Sequence, residues 1–116
     1  MNFNITLEMV RNTLIVRLEG ELDHHTSEMV REKIDKELAK GIVKNLLFNL
    51  EHLTFMDSSG LGMLLGRYKK IRQSEGKMSI CCLQPSVYKI FELSGIFKIL
   101  SVFENESEAI EALEVA

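Results

Sequence analysis

Tryptophan is absent, proline occurs once (Pro85), and the only two cysteines are neighbours, Cys81 and Cys82. With no Pro/Gly/Ser-rich linker and no internal repeat, the 116 residues read as one domain, residues 1–116. A chain of that length closes a core without metals or disulfides. The cysteine pair could be a strained vicinal disulfide or a redox pair. No His or basic residue adjoins it to make a thiolate, so we read two small, reduced, buried strand residues. Long Lys/Arg blocks are also missing, and the formal net charge is -3. A surface that tracks nucleic-acid phosphates needs many cations on one face, so no nucleic-acid partner is expected. No apolar run approaches the ~18 residues of a spanning helix, and no membrane partner is expected. Met1 to Val10 lacks a basic leader, and Asn2, Asn4, Thr6 and Glu8 interrupt it. That argues against a signal peptide and for the cytoplasm.

What is present is an alternation of two periods. Ile5, Leu7 and Met9, then Leu14, Val16 and Leu18, recur every second residue, predicting a hairpin that ends at Gly20. From Thr26 to Lys40 the period becomes helical through Val30, Ile34 and Leu38, with Gly41 as the expected C-terminal cap. Leu46 to Leu50 reads as a strand buried on both faces. A second helix is predicted from about Ser58, with Leu61, Leu64, Leu65, Tyr68 and Ile71 inward. Its C-terminal half carries Arg67, Lys69, Lys70 and Arg72, whose charge complements the helix dipole. A strand from Met78 to Leu83 follows. Pro85 opens a third helix with Val87, Ile90, Phe91 and Leu93 inward, and Ser94-Gly95 ends it. An edge strand within Ile96 to Val102 and a last helix capped by Asn105 complete the order β-β-α-β-α-β-α-β-α. This is an α/β fold, a single mixed sheet with a parallel centre and helices packed on it. Right-handed crossovers put the segments Gly20–Thr26 and Glu51–Ser59 at the carboxyl ends of neighbouring strands, where open α/β sheets place their sites.

The second of those segments contains Asp57-Ser58-Ser59-Gly60-Leu61-Gly62. Amides at a helix start lack intrahelical partners and favour negative charge, so a phosphate on Ser58 or Ser59 would sit well there. Two glycines cost a helix roughly 1 kcal/mol each against alanine, and they would leave room for another protein's backbone. The plainer reading is an ordinary Asp/Ser cap with tight packing at the glycines. On the residues alone, Ser58 and Ser59 are equal candidates. The other segment, Gly20-Glu21-Leu22-Asp23-His24-His25, is either a polar connection capped by Asp23 or Thr26, or a source of charge. A phosphoserine adds about -1.5 to -2 charges, and beside Glu21, Asp23 and Asp57 it would repel a partner.

Enzymatic motifs are missing. No Lys follows Gly60 or Gly62 as a Walker loop requires, and neither a dinucleotide fingerprint nor a G-x-S-x-G elbow is present. His24, His25 and His52 have no metal-ligand spacing, so neither a metal nor a cofactor is expected. The acidic tail, Glu104 to Glu114, reads as a solvated face.

The runs Leu18-Glu19-Gly20-Glu21-Leu22-Asp23-His24-His25-Thr26 and Leu53-Thr54-Phe55-Met56-Asp57-Ser58-Ser59-Gly60-Leu61-Gly62, with Leu65-Gly66-Arg67-Tyr68-Lys69, resemble the anti-sigma factor antagonists of the STAS-domain family, in their sporulation branch. The resemblance spans essentially the whole chain. It implies a regulatory protein, not an enzyme. Its unphosphorylated form would bind an anti-sigma serine kinase carrying ADP or ATP and release the sigma factor. It implies that the kinase phosphorylates the first serine of the turn, Ser58, and that a PP2C-type phosphatase reverses this. Glu21, Asp23, Asp57, Ser58, Ser59, Gly60, Leu61 and Gly62 would form the docking site. The alternatives are a domain that binds or weakly hydrolyses nucleotides, and a scaffold subunit of a larger assembly.

Overall fold

The computed structural model describes residues 2–115. Five strands form one sheet in the order β1-β2-β3-β4-β5. β1 (Asn4–Val10) and β2 (Thr13–Leu22) pair antiparallel across Arg11-Asn12. β3 (Asn45–Met56), β4 (Met78–Cys81) and β5 (Ser101–Phe103) join parallel, one beyond the other. Helices α1 (His24–Leu38), α2 (Ser58–Gln73) and α3 (Pro85–Ser94) connect the parallel strands, and α4 (Glu106–Glu114) follows β5. The mixed sheet and element order agree with the sequence pattern.

From β2 onward each strand is added on the same side of the last. Right-handed crossovers in that sequence place α1, α2 and α3 on one face. The main core lies there. Leu14, Val16 and Leu18 of β2 and Leu46, Phe48 and Leu50 of β3 cluster with Val30, Ile34, Leu64, Ile71, Val87 and Phe91. Each such side chain contributes roughly 1.5–3 kcal/mol on burial. Strand alternation turns Ile15, Leu47 and Cys81 to the other face, where Ala109 and Leu113 of α4 cover them.

Both strands that lead to the candidate site are longer than their patterns. β2 passes Gly20 to reach Leu22, and β3 passes Leu50 to reach Met56. Their register shifts between Arg17 and Glu19 and again between Gly20 and Glu21, each time giving β3 an extra residue. Such bulges break the period-2 signal. Asn49 Oδ1 supports the first by accepting from the Glu51 amide at 2.9 Å. Gly20 has φ 115, a left-handed value that side chains avoid. A Cβ there would lie 2.8 Å from the Asn2 carbonyl oxygen. The first parts of the segments Gly20–Thr26 and Glu51–Ser59 are therefore paired strand ends, with Glu21 opposite Phe55 and Leu22 opposite Met56.

Other departures are local. α1 begins at His24 and has Ala39 as its C-cap, with Gly41 at φ 79 in the turn beyond. β4 stops at Cys81 because Cys82 is left-handed, at φ 62. Ile96–Lys98 is a 3-10 turn, so the edge strand is only Ser101–Phe103. Leu65 and Leu93 point outward, whereas Met63 and Arg67 are buried. In the acidic tail Glu106 is not free. It receives Arg17 Nε at 2.7 Å and Nη2 at 2.9 Å, and Asn49 Nδ2 donates to it as well.

Candidate functional site

β2 and β3 end side by side, and each hands over to a helix through an aspartate. Parallel neighbours lie about 4.8 Å apart, so Asp23 and Asp57 crowd two carboxylates onto one sheet edge. Both are N-caps. Asp57 Oδ1 accepts from the Ser59 amide at 2.8 Å and the Gly60 amide at 3.2 Å. Asp23 Oδ1 accepts from the Thr26 amide at 2.9 Å, and Thr26 Oγ1 accepts from the Asp23 amide at 2.8 Å. The Thr26 amide and then its hydroxyl hold Asp23 below the usual carboxylate range. Of the two capping candidates in that segment, Asp23 is the N-cap, and Thr26 closes the box.

Ser58 is the first residue of α2 and is exposed, while Ser59 is half-buried. Among the described residues no hydrogen bond engages the Ser58 hydroxyl. The helix start below it offers a positive field. Leu61 is half-buried and Gly62 exposed with open space around it. Gly60 behaves differently from the expectation that it leaves room for a partner. It is buried, and a Cβ there would lie 2.6 Å from Met56 Cγ and 3.0 Å from Leu22 Cδ2. This chain's own strand ends occupy that space. Gly60 lets α2 start close against the sheet, which sets where Ser58 is presented.

Sequence reading missed a charged cluster beside the turn. Arg67 is only 6% exposed. Its Nε lies 3.3 Å from Asp35 Oδ1 on α1, and Lys70 Nζ lies 3.4 Å from Asp35 Oδ2. Arg31 also reaches Asp35 Oδ2, at 3.5 Å. The Arg67–Asp35 contact is close but not aligned as a hydrogen bond, so Arg67 Nε, Arg67 Nη1 and Asp35 Oδ1 are enclosed without a partner, as is Ser27 Oγ. Burial pulls the Arg67 pKa down, against the opposing charge of Asp35. A cleft of about 290 Å³ opens between α1 and α2 here, lined in part by Ser27, Ser59, Gly62 and Arg67. The available signal was a charge on an apolar stripe, since Arg67 falls between Leu64 and Ile71 at helical spacing.

His24, His25 and His52 are exposed. Among the described residues no three His, Cys, Asp or Glu side chains are grouped to hold a metal. Cys81 and Cys82 are free thiols, and burial pushes both upward in pKa. No helix of the described residues is long and apolar enough to cross a membrane.

Comparison with known proteins places this geometry. The model of the STAS domain matches residues 4–109. The chain is 48% identical over 115 residues to the anti-sigma F factor antagonist of Paenibacillus polymyxa, covering 99% of this chain and 98% of that one. It is 44% identical over 91 residues to the anti-sigma F factor antagonist of Lysinibacillus sphaericus, covering 78% of each. The solved structure of the anti-sigma factor antagonist SpoIIAA in its unphosphorylated form superposes with a TM-score of 0.84 at 39% identity, covering 94% of this chain and 95% of that one. The phosphorylated form of the Bacillus cell fate determinant SpoIIAA gives 0.78 at 38% identity, covering 96% and 100%. A full-length relative at nearly half identity and a family model spanning both strand ends and α2 make one conclusion plain: the chain belongs to the STAS-domain family, among its anti-sigma factor antagonists.

Proposed function

We propose that this chain is a cytoplasmic partner switch in which Ser58 is the modified residue. Unphosphorylated, it docks through the α2 start on an anti-sigma serine kinase that holds ADP or ATP, and the kinase releases its sigma factor. Phosphorylation of Ser58 ends docking, and a PP2C-type phosphatase restores it. The chain itself catalyses nothing in this cycle and needs neither nucleic acid nor membrane.

The observation that carries this reading is the contrast between the two serines. Ser58 stands exposed at the first helical position, whereas Ser59 is half-buried and has its amide held by Asp57. A kinase needs a hydroxyl that projects into its own site, and the exposed Ser58 meets that need better than the half-buried Ser59. Leu61 and Gly62 continue the same helix face, at three and four residues from Ser58. Glu21, Asp23 and Asp57 supply the charge that makes the switch strong. A phosphate carries about -1.5 to -2 charges at neutral pH, and added to that edge it opposes desolvation by any partner. Gly60 contributes by seating the helix, not by touching the partner.

The test is to incubate the protein with a cognate anti-sigma kinase and ATP and to locate the phosphate by mass spectrometry. Phosphate on Ser58, and none on Ser58→Ala, is the expected result. Phosphate on Ser59 would overturn the assignment.

A further inference from the structure

We propose that docking continues past the turn, down the outer face of α2 over Leu65 to Lys69, and that the anti-sigma kinase meets it there with an apolar side chain followed by a carboxylate. The contact rests on the docking proposed at the α2 start and names what the partner brings to it.

Three observations converge. First, the outer residues of α2 form one straight stripe. Ser58, Gly62, Leu65, Lys69 and Arg72 are all exposed, and their spacing of four, three, four and three residues keeps them on a single face. Gly62 has open space around it, so the turn between Ser58 and Leu65 is open to an approaching surface. Second, Leu65 is a leucine outside the core. It is 40% exposed, while Leu64 beside it is fully buried. A lone exposed leucine is ordinary, but this one lies two turns below Ser58 on the same stripe. Third, the charge at the lower end is unmatched. Among the described residues neither Lys69 nor Arg72 pairs with a carboxylate, whereas Lys70 lies 3.4 Å from Asp35. The helix dipole does not account for Lys69, because the cations of the last turn are Lys70 and Arg72. The whole chain carries a net charge of -3, so a basic end on α2 runs against its general sign. A surface that is apolar and then basic fits a partner surface that is apolar and then acidic.

The distances divide the switch into two arms. Ser58 and Lys69 are eleven residues apart, about 16 Å along the helix, whereas charges at physiological salt act over about 8 Å. A phosphate on Ser58 therefore opposes docking at the turn and leaves the Lys69 contact unaffected. The lower arm supplies affinity, and the upper arm decides whether the surfaces close.

The test measures binding of the full chain to a cognate anti-sigma serine kinase loaded with ADP, which keeps Ser58 unmodified. Leu65→Ala should weaken binding roughly five- to twenty-fold. Lys69→Glu should weaken it about ten-fold at low salt, and less as salt rises. Lys33→Glu, at an exposed position of α1, makes the same change in net charge and should stay within about two-fold. Leu65→Ala and Lys69→Glu replace exposed side chains and should keep the wild-type urea midpoint. A lowered midpoint for Leu65→Ala would make it a folding residue and overturn its docking role. In a Ser58→Asp background the Lys69→Glu factor should be the same. A smaller factor there overturns the separation into two arms. Equal losses for Lys33→Glu and Lys69→Glu overturn the local contact in favour of overall charge. Unchanged binding by both Leu65→Ala and Lys69→Glu, with Ser58→Asp still weak, overturns the lower arm and leaves the docking turn intact. Failure of the wild-type chain to bind any anti-sigma kinase overturns the docking reading itself.

Discussion

α1 and α2 start alike. Each follows a parallel strand, and each is capped by an aspartate in extended conformation, Asp23 at φ -106 and ψ -167, Asp57 at φ -108 and ψ -171. The third helical residue separates them. In α1 it is Thr26, whose hydroxyl accepts the cap's own amide and closes a reciprocal box. In α2 it is Gly60, which has nothing to offer that amide. Asp57 N donates to the Leu22 carbonyl instead, at 3.2 Å, and so ties the second cap to the neighbouring strand. One helix start is closed on itself. The other is clamped to the sheet from below and left open above, where Ser58 stands. A cap becomes a presentation site when its own amide is satisfied by the scaffold and not by a side chain of its first turn.

Breaking the open start should have the largest effect. Ser58→Asp places a charge where the phosphate would go and should weaken kinase binding about a hundred-fold, roughly 2.7 kcal/mol. Ser58→Asn, similar in size and neutral, should stay within about three-fold by calorimetry. Equal losses in the two variants would remove charge from the mechanism. Next comes an exchange at the third position. Gly60→Thr gives α2 the residue that α1 uses, yet it should destabilise by about 2 kcal/mol, because its Cβ meets Met56 and Leu22. A denaturation midpoint equal to wild type would show that the strand ends can move aside.

Smaller effects sharpen the contrast. Asp57→Ala frees two amides and should cost about 1 kcal/mol in urea denaturation. Gly62→Ala has open space around its Cβ and should raise stability by about 0.5–1 kcal/mol. A loss there would point to a contact not seen in the isolated chain. The acid limb of the stability curve is the last and smallest. Asp23 and Glu106 both titrate below their ordinary ranges, Asp23 through Thr26 and Glu106 chiefly through Arg17. A depressed carboxylate contributes stability above its unfolded pKa, near 4, and loses it as pH falls through the lower folded value. Glu106→Gln should therefore cost less than about 1 kcal/mol at neutral pH and flatten the loss below pH 4. An unchanged slope would mean the Arg17 pair does not couple to folding.

Much of this was legible in the residues. The alternation at Ile5–Met9 and Leu14–Leu18 and the helical spacing at Val30, Ile34 and Leu38 are local signals, and the element order followed from them. Asp57 before Ser58 announced a cap. Leu65 and Arg67 were misplaced together: the expected stripe through Leu61, Leu64, Leu65, Tyr68 and Ile71 shares Leu64 and Ile71 with the observed one, which adds Gly60, Met63 and Arg67 and leaves Leu65 outside. Hydrophobicity argued for the first stripe. An ion partner on another helix, Asp35, allowed the second.

By itself, the sequence determined the element types, their order and the aspartate-led start of α2, since periodicity and capping act within a few residues. Only the tertiary structure decided that β2 and β3 extend through two bulges to bring Asp23 beside Asp57. It alone made Gly60 a packing residue and Arg67 a buried cation facing a cleft. Each of those depends on what another segment places within a few ångströms, and no local pattern carries that information.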